Sequence, residues 1–273
     1  MIYLYAHTNF KTGLDSLRRV KVIYERLKKE GINSEILLNE YRAQLLAKDW
    51  GLPLATTIET IKDIDAVANK GDIVLIDSIE EIEGKVLNYP QNFKTIYINS
   101  NCKEVEFSGA RVINLYKDGI LALKYEKKED RGAILVYKDS DYEKVIIKHL
   151  DEFRDLNLDL YWGIYFFVKY EDLLKEVFKN IVESEDFYEI YSNYTKIITS
   201  SFQIATEARY NDLEVVFWNV NKEDRECLKI MEDYGIRVVE SIKDIKFLNN
   251  SKKVNKILNN LDSQIINIIK SYM

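Results

Sequence analysis

Strand-like apolar runs alternate with stretches of helical period almost from end to end of the chain. Residues 1–6 (MIYLYA) form an aromatic and β-branched run, bounded by the polar HTNFKTG. Over 15–30, Leu17, Val20, Ile23, Tyr24 and Leu27 recur on one helical face, and Gly31 stands where a left-handed C-terminal cap belongs. A strand at 34–38, a helix at 41–50 closed by Gly51, a helix at 57–69 closed by Gly71 and strands at 72–77, 94–99 and 111–116 follow. A polar stretch, 117–131, breaks this rhythm, and then it restarts. The second series predicts strands at 133–137, 158–167, 178–182, 196–199, 214–219 and 237–240. Its predicted helices lie at 139–153, 170–177, 184–193, 202–210 and 223–234, the last closed by Gly235. A last helical pattern covers 252–273, with Val254, Ile257, Leu258, Leu261, Ile265, Ile268 and Ile269 on a stripe.

Such alternation predicts parallel sheets covered by helices on both faces. The expected fold is α/β, with two Rossmann-like domains facing a cleft and a C-terminal helix packing back. The expected domains are 1–122 and 123–273, the second carrying the terminal helix. Ligand loops would then lie at the carboxyl ends of the strands.

Composition narrows the chemistry. The chain has 273 residues, 47% hydrophobic and 31% charged, enough for real cores and not the balance of a disordered chain. Its 10 glycines compare with about 19 at average usage, so a site built from many glycines is excluded. The formal net charge of -6 argues against a nucleic-acid partner, which needs a concentrated basic face. No run reaches the roughly 18 apolar residues of a membrane span, and the N-terminus lacks the features of a signal peptide. Cys102 and Cys227 are too few for a disulfide framework, so a reduced, cytoplasmic setting is expected. His7 and His149 cannot make a histidine-rich zinc site, and no metal or cofactor is expected.

The segment Gly13-Leu14-Asp15-Ser16-Leu17-Arg18-Arg19, between the first strand and the first helix, resembles a loop of one enzyme family. These are the GT-B-fold UDP-sugar hydrolases of the pseudaminic acid pathway, relatives of the peptidoglycan glycosyltransferase that makes lipid II. Their loop reads Gly-x-Gly-His-x-x-Arg. With its arginine on Arg19, the first glycine falls on Gly13, the second on Asp15 and the histidine on Ser16. Residues 134–141 (ILVYKDSD) match the strand and loop that open the second domain. Residues 196–208 (KIITSSFQIATEA) resemble the nucleotide-binding strand, turn and helix, with Glu207 at the position of the ribose-binding glutamate. Asn221 falls near the asparagine of the next loop. The departures are specific: Ser16 replaces the histidine, Lys138-Asp139 replaces a glycine pair, and Ser200-Ser201 replaces the glycines of the nucleotide turn.

The resemblance implies a nucleotide-sugar-binding protein of glycan or nonulosonic acid biosynthesis, with a UDP-type sugar as partner. As an enzyme it would be a glycosyltransferase or a UDP-sugar hydrolase. The other reading is a degenerate scaffold that binds without turnover. Gly13 and Arg19 would grip substrate, or Gly13 is a turn residue and Asp15 a helix cap. Ser16 has no evident base to activate it, so the catalytic candidates beside it are Asp15 as a carboxylate and His7, which ends strand one. Ser200 and Ser201 would meet the phosphates at a helix N-terminus, or simply cap it. Lys138 would contact a phosphate. Asp139 and Asp141 read as caps before cation ligands. Asp77 ends a buried-looking strand, where it lines the cleft or caps the turn. The aromatic run 161–167 reads as core before base-stacking surface, and His149 as a solvated helix residue.

Overall fold

A computed structural model describes residues 1–166, 168–245, 247 and 258–273. It divides into two compact units, Met1–Ala122 with Asn259–Met273, and Leu123–Leu258.

In the first unit, strands β1 (Ile2–Ala6), β2 (Glu35–Leu38), β3 (Thr56–Thr57), β4 (Ile73–Asp77), β5 (Lys94–Asn99) and β6 (Arg111–Asn114) form one sheet in the order β3-β2-β1-β4-β5-β6. Every pairing is parallel. Tyr3, Tyr5, Val74 and Ile76 pack on one face with Ile61, Ile64, Tyr89 and Phe93. Strands buried on both faces need apolar residues at every position, which is why MIYLYA and IVLID show no alternation. Helix α1 (Asp15–Lys29) buries Leu17, Val20, Ile23 and Leu27. It ends in a Schellman motif, with the Gly31 and Ile32 amides donating to Lys28 and Leu27. Gly31 has φ +70, a conformation that costs glycine no clash. Helices α2 (Tyr41–Asp49) and α3 (Tyr89–Asn92) complete the chain up to the linker.

In the second unit, β7 (Ala133–Val136), β8 (Asp159–Tyr161), β9 (Ile181–Val182), β10 (Lys196–Thr199), β11 (Glu214–Trp218) and β12 (Arg237–Val239) are also all parallel. Their order is β12-β11-β10-β7-β8-β9. The helices are α4 (Val145–Lys148), α5 (Leu150–Phe153), α6 (Glu171–Lys175), α7 (Glu189–Asn193), α8 (Phe202–Tyr210) and α9 (Arg225–Asp233). Trp218, Phe153, Phe178, Leu160 and Ile198 centre the core. Both sheets are of the expected parallel α/β type.

Three expectations are corrected. The helix expected over 57–69 is the short strand β3 followed by a two-turn 3-10 segment, Ile61–Ala66, capped by Thr60 and Asp63. The helix expected over 139–153 is broken into α4 and α5. The Asp141 carboxylate accepts the Val145 and Ile146 amides at 2.6 and 3.0 Å, and Lys144 before them is left-handed at φ 58. Finally, the terminal helix belongs with the first unit, not the second. Helix α10 (Asp262–Tyr272) buries Ile265, Ile266 and Ile269 and packs on α1, with Lys270 2.9 Å from Glu30. The earlier part of that predicted stripe, Val254 and Ile257, and Phe167 of the predicted strand at 158–167, lie outside the described residues.

Candidate functional site

In an open parallel sheet, loops from neighbouring strands diverge at the point where the strand order reverses, and ligands bind beyond the carboxyl ends there. That point lies between β1 and β4 in the first unit and between β7 and β10 in the second.

In the first unit it gathers the loop after β1, the start of α1 and the loop after β4. Asn39 clamps the β1 loop, accepting from the Thr8 amide at 2.7 Å and donating to the Thr8 carbonyl at 2.8 Å. Gly13 turns the chain at φ +73, its amide on the Asn9 carbonyl at 2.8 Å. The helix cap position is Leu14, so Asp15 is the first helical residue and not the cap; its carboxylate accepts from Arg18 at 3.0 Å. Ser16 is buried and donates its hydroxyl to the His7 carbonyl.

His7 itself donates its amide to the Asp77 carbonyl at 3.0 Å. Its Nδ1 is buried and, among the described residues, has no hydrogen-bond partner. Burial lowers its pKa below the ordinary histidine value, against the opposing charges of Glu80, Asp77 and Glu40.

Arg19 is buried and donates Nε and Nη2 to the two Asp77 oxygens at 2.6 and 2.7 Å, a bidentate pair. Its Nη1 lies 3.4 Å from the Tyr116 hydroxyl. Burial works against the guanidinium charge, but Asp77 more than restores it. Glu80 accepts from the Tyr5 hydroxyl at 2.6 Å, the Ser78 hydroxyl at 2.9 Å and the Ile61 amide at 3.1 Å.

In the second unit the switch point gathers Lys138, the start of α8 and the loop after β11. Ser200 donates its amide to the Tyr137 carbonyl at 3.2 Å and its hydroxyl to the Trp218 carbonyl at 2.7 Å. Ser201 is the cap of α8, its hydroxyl accepting the Ile204 amide at 3.1 Å. Exposed Asn221 accepts from the Tyr137 hydroxyl at 3.3 Å, which ties the β11 loop to the β7 loop. Lys138 lies beside them, its Nζ 5.7 Å from the Tyr137 ring centre. Glu207 lies deeper, 1% exposed, accepting from the Tyr191 hydroxyl at 2.8 Å. Asp139 is buried, with Tyr161 donating to it at 3.2 Å. Gly163 fits against its backbone so closely that a Cβ there would lie 2.1 Å from the Asp139 carbonyl oxygen. The loop after β8 therefore takes glycine at this position. His149 is half-buried between α4 and α5, 2.7 Å from Glu152 and edge-on to Trp218, and not a solvated helix residue.

Ser200, Ser201, Lys138 and Asn221 are thus together, as are His7, Gly13, Asp15, Ser16 and Arg19; Glu207 stands apart in the interior. Sequence reasoning missed Glu80, Tyr5, Tyr116 and Tyr191. Glu80 carried a weak signal, directly after a strand ending in Asp77-Ser78. Tyr5 lies in a strand-like apolar run and Tyr191 in a predicted helix, and nothing local marks which tyrosines hydrogen-bond a distant carboxylate. Among the described residues no group of three or more His, Cys, Asp or Glu could hold a metal ion, and no helix is long and apolar enough to cross a membrane.

No protein-family model and no curated protein matches the chain. Solved structures match its fold. One is MurG of Acinetobacter baumannii, 13% identical over 90% of this chain and 86% of that one, with a TM-score of 0.51. Another is a Methanocaldococcus jannaschii UDP-GlcNAc 2-epimerase in complex with UDP-GlcNAc and UDP, 10% identical over 100% of both chains, with a TM-score of 0.56. The chain has the GT-B fold. At such identities the likeness shows fold and not chemistry, so the function rests on the residues at the two switch points.

Proposed function

We propose that the chain binds a nucleotide sugar, of the UDP type, in glycan or nonulosonic acid biosynthesis, with the nucleotide at the switch point of the second unit. The observation that carries this reading is the grouping of Lys138, Ser200, Ser201 and Asn221 where β7 and β10 part, at the start of the nine-residue helix α8. A helix N-terminus favours an anion, and Lys138 adds a full positive charge beside it. The presence of UDP-GlcNAc and UDP in the M. jannaschii epimerase structure supports a UDP-type ligand.

If the chain turns over substrate, the reaction is glycosyl transfer or hydrolysis, with a base taking the proton of an acceptor hydroxyl or water. Of His7, Asp15 and Ser16, His7 fits that role best. Asp15 is paired with Arg18 and the Ser16 hydroxyl is donated to a carbonyl, whereas burial lowers the His7 pKa and so favours its proton-accepting form. A second reading, binding without turnover, is favoured by the burial of Glu207 on Tyr191, because the carboxylate expected on the ribose is already engaged.

Thermal unfolding with UDP, UDP-GlcNAc, ADP and GDP tests both. A ligand at 100 times its Kd adds about 2.7 kcal/mol to stability, so UDP and UDP-GlcNAc are expected to raise Tm by several degrees. No shift with any nucleotide at millimolar concentration would sink the proposal. A shift without release of UDP from UDP-GlcNAc over hours would favour the binding protein.

A further inference from the structure

The groups at the switch point of the second unit differ in what they can offer a ligand. Lys138 brings an ammonium, a donor only, which pairs with no carboxylate among the described residues. The Asn221 carboxamide accepts from the Tyr137 hydroxyl at 3.3 Å through Oδ1, which leaves its Nδ2 hydrogens for a ligand. The Ser200 hydroxyl donates to the Trp218 carbonyl, and that of Ser201 accepts the Ile204 amide. Phosphate oxygens are acceptors and suit such a site. The two hydroxyls of a ribose are donors, best held by a carboxylate that accepts from both.

Glu207 is the carboxylate of α8, and it is committed elsewhere. Positions 207 and 211 share one helix face, and the Asn211 amide bonds the Glu207 carbonyl at 3.0 Å. On that face the Asn211 side chain holds the start of the unit, donating to the Leu123 carbonyl at 2.9 Å and accepting the Tyr125 amide at 2.8 Å. Tyr191 of α7, itself 1% exposed, donates to Glu207 at 2.8 Å. Its ring is stacked on Tyr125 and edge-on to Phe187, with centres 5.6 Å apart in both pairs, so it is held from two sides. The face of α8 that carries Glu207 is therefore covered by residues 123–125 and α7, nearly two turns from Ser201. Bringing Glu207 to a ribose would strip the buried Tyr191 hydroxyl of that acceptor.

The loops that leave β7 and β11 carry the other carboxylates near the switch point. Asp139 accepts from the Tyr161 hydroxyl and Asp141 from the Val145 and Ile146 amides, and both are buried. Asp224 stands at the cap position of α9. Glu143 is exposed and Glu223 half-buried, and no hydrogen bond among the described residues holds either carboxylate in place. Residues 167, 246 and 248–257 contain no Asp or Glu. We infer that this site reads the phosphates of its ligand and leaves the ribose unread. It takes a diphosphate, to which Lys138 and Asn221 donate, and the 2′-hydroxyl makes no difference to affinity. Glu207 belongs to the framework that joins α8 to α7. The inference rests on the reading of this switch point as the nucleotide site. A site built to hydrogen-bond a hydroxyl rejects the analogue that lacks it by powers of ten, so the difference is measurable.

The experiment is isothermal titration of the full chain with UDP, 2′-deoxy-UDP, uridine and inorganic pyrophosphate at one salt concentration. The dissociation constants of UDP and 2′-deoxy-UDP are expected to agree within about twofold. Pyrophosphate is expected to displace UDP, and uridine to give no heat of binding. Lys138→Gln should weaken both nucleotides equally, by about tenfold. Glu207→Gln, which keeps an acceptor for Tyr191, should shift neither constant by more than about twofold. Binding of 2′-deoxy-UDP weaker than that of UDP by about tenfold or more would overturn the inference, whichever of Glu207, Glu143 and Glu223 reads the hydroxyl. Uridine binding as tightly as UDP would overturn it from the other side. The comparison of the two nucleotides uses the wild type, so it does not depend on any variant folding. If UDP binds and 2′-deoxy-UDP does not, this inference fails and the functional reading stands; if neither binds, both fall.

Discussion

At the switch point of the first unit the polar groups are charged, with Arg19 buried on Asp77, half-buried Glu80 on Tyr5, and the His7 amide on the Asp77 carbonyl. At that of the second they are neutral caps and hydroxyls, with buried Ser201 capping α8, buried Ser200 on the Trp218 carbonyl and exposed Asn221 on Tyr137. Lys138 adds a charge beside them, and the buried carboxylate of α8, Glu207, accepts from the Tyr191 hydroxyl. The difference teaches that one fold carries two kinds of polar setting. Paired charges in a low-dielectric setting control protonation. Hydroxyls and a helix N-terminus offer donors to an anion without committing a counter-charge.

The largest test of that contrast is a truncation in each region. Asp77→Ala leaves the Arg19 charge buried and unpaired and is expected to cost about 3–5 kcal/mol, whereas Ser200→Ala loses one neutral hydrogen bond, about 1 kcal/mol. Urea unfolding measures both. Equal losses would mean that Arg19 escapes to water when Asp77 is removed, and that the pair is not the sequestered element described.

Backbone approach gives the next comparison. Gly119 in the first unit and Gly163 in the second each lie against a carbonyl oxygen that a Cβ would meet at 2.3 and 2.1 Å, from Asn259 and Asp139. Alanine at either is expected to destabilise by about 1–3 kcal/mol through overpacking. The consequences should differ by place. Gly119→Ala disturbs the bridge between Ile120 and Asn260 that leads the tail into α10, and protease cleavage near the C-terminus should rise. Gly163→Ala disturbs the loop after β8 and should leave the tail protected. Cleavage of the tail in both variants would contradict the assignment of α10 to the first unit.

A hydroxyl deletion in each region is smaller. Tyr191→Phe strips a 2.8 Å donor from buried Glu207 and is expected to cost about 1–2 kcal/mol. Tyr116→Phe removes a hydroxyl 3.4 Å from Arg19, a long contact, and should cost about 0.5 kcal/mol or less. A larger loss at Tyr116 than at Tyr191 would show that its hydroxyl carries more of the Arg19 network than the distance implies.

Much of this architecture was legible in the sequence, for a physical reason. Strands buried on both faces must be apolar throughout, so runs such as 73–76 and 133–136 declare themselves, and Gly31, Gly51 and Gly235 mark helix ends by their left-handed φ. What stayed hidden depends on tertiary contact. The apolar period of 139–153 carries no sign that Asp141 delays the helix start by bonding amides four and five residues on. Nor does the stripe of α10 say which unit it will cover. At the site, Gly13 to Arg19 and Ser200 to Ser201 could be located from their place between a strand and a helix. That the Arg19 guanidinium spends its donors on Asp77, 58 residues away, could not. The shortage of glycine has the same lesson: where the resembled family has glycines, this chain places Asp15, Lys138, Ser200 and Ser201, whose side chains supply the caps and charges seen here.

The smallest expected effect bears on the proton that distinguishes the two regions. Burial lowers the His7 pKa in the folded state below its unfolded value near 6.5. The folded chain then binds fewer protons than the unfolded one below that pH, so stability rises with pH through this window. Its His7 contribution is whole above about pH 6.5 and is lost as pH falls toward the folded midpoint. Urea unfolding of the wild type and of His7→Gln at pH 7.5 and 5.5 isolates that contribution, because the other titrating groups are common to both chains. The wild type should lose more stability than His7→Gln between the two values. Ser201→Ala, which weakens the cap of α8 without touching an ionisable group, should lower stability equally at both. If His7→Gln shows the larger loss on acidification, His7 is stabilised as a cation in the folded chain, and the first unit's charges favour the proton instead of excluding it.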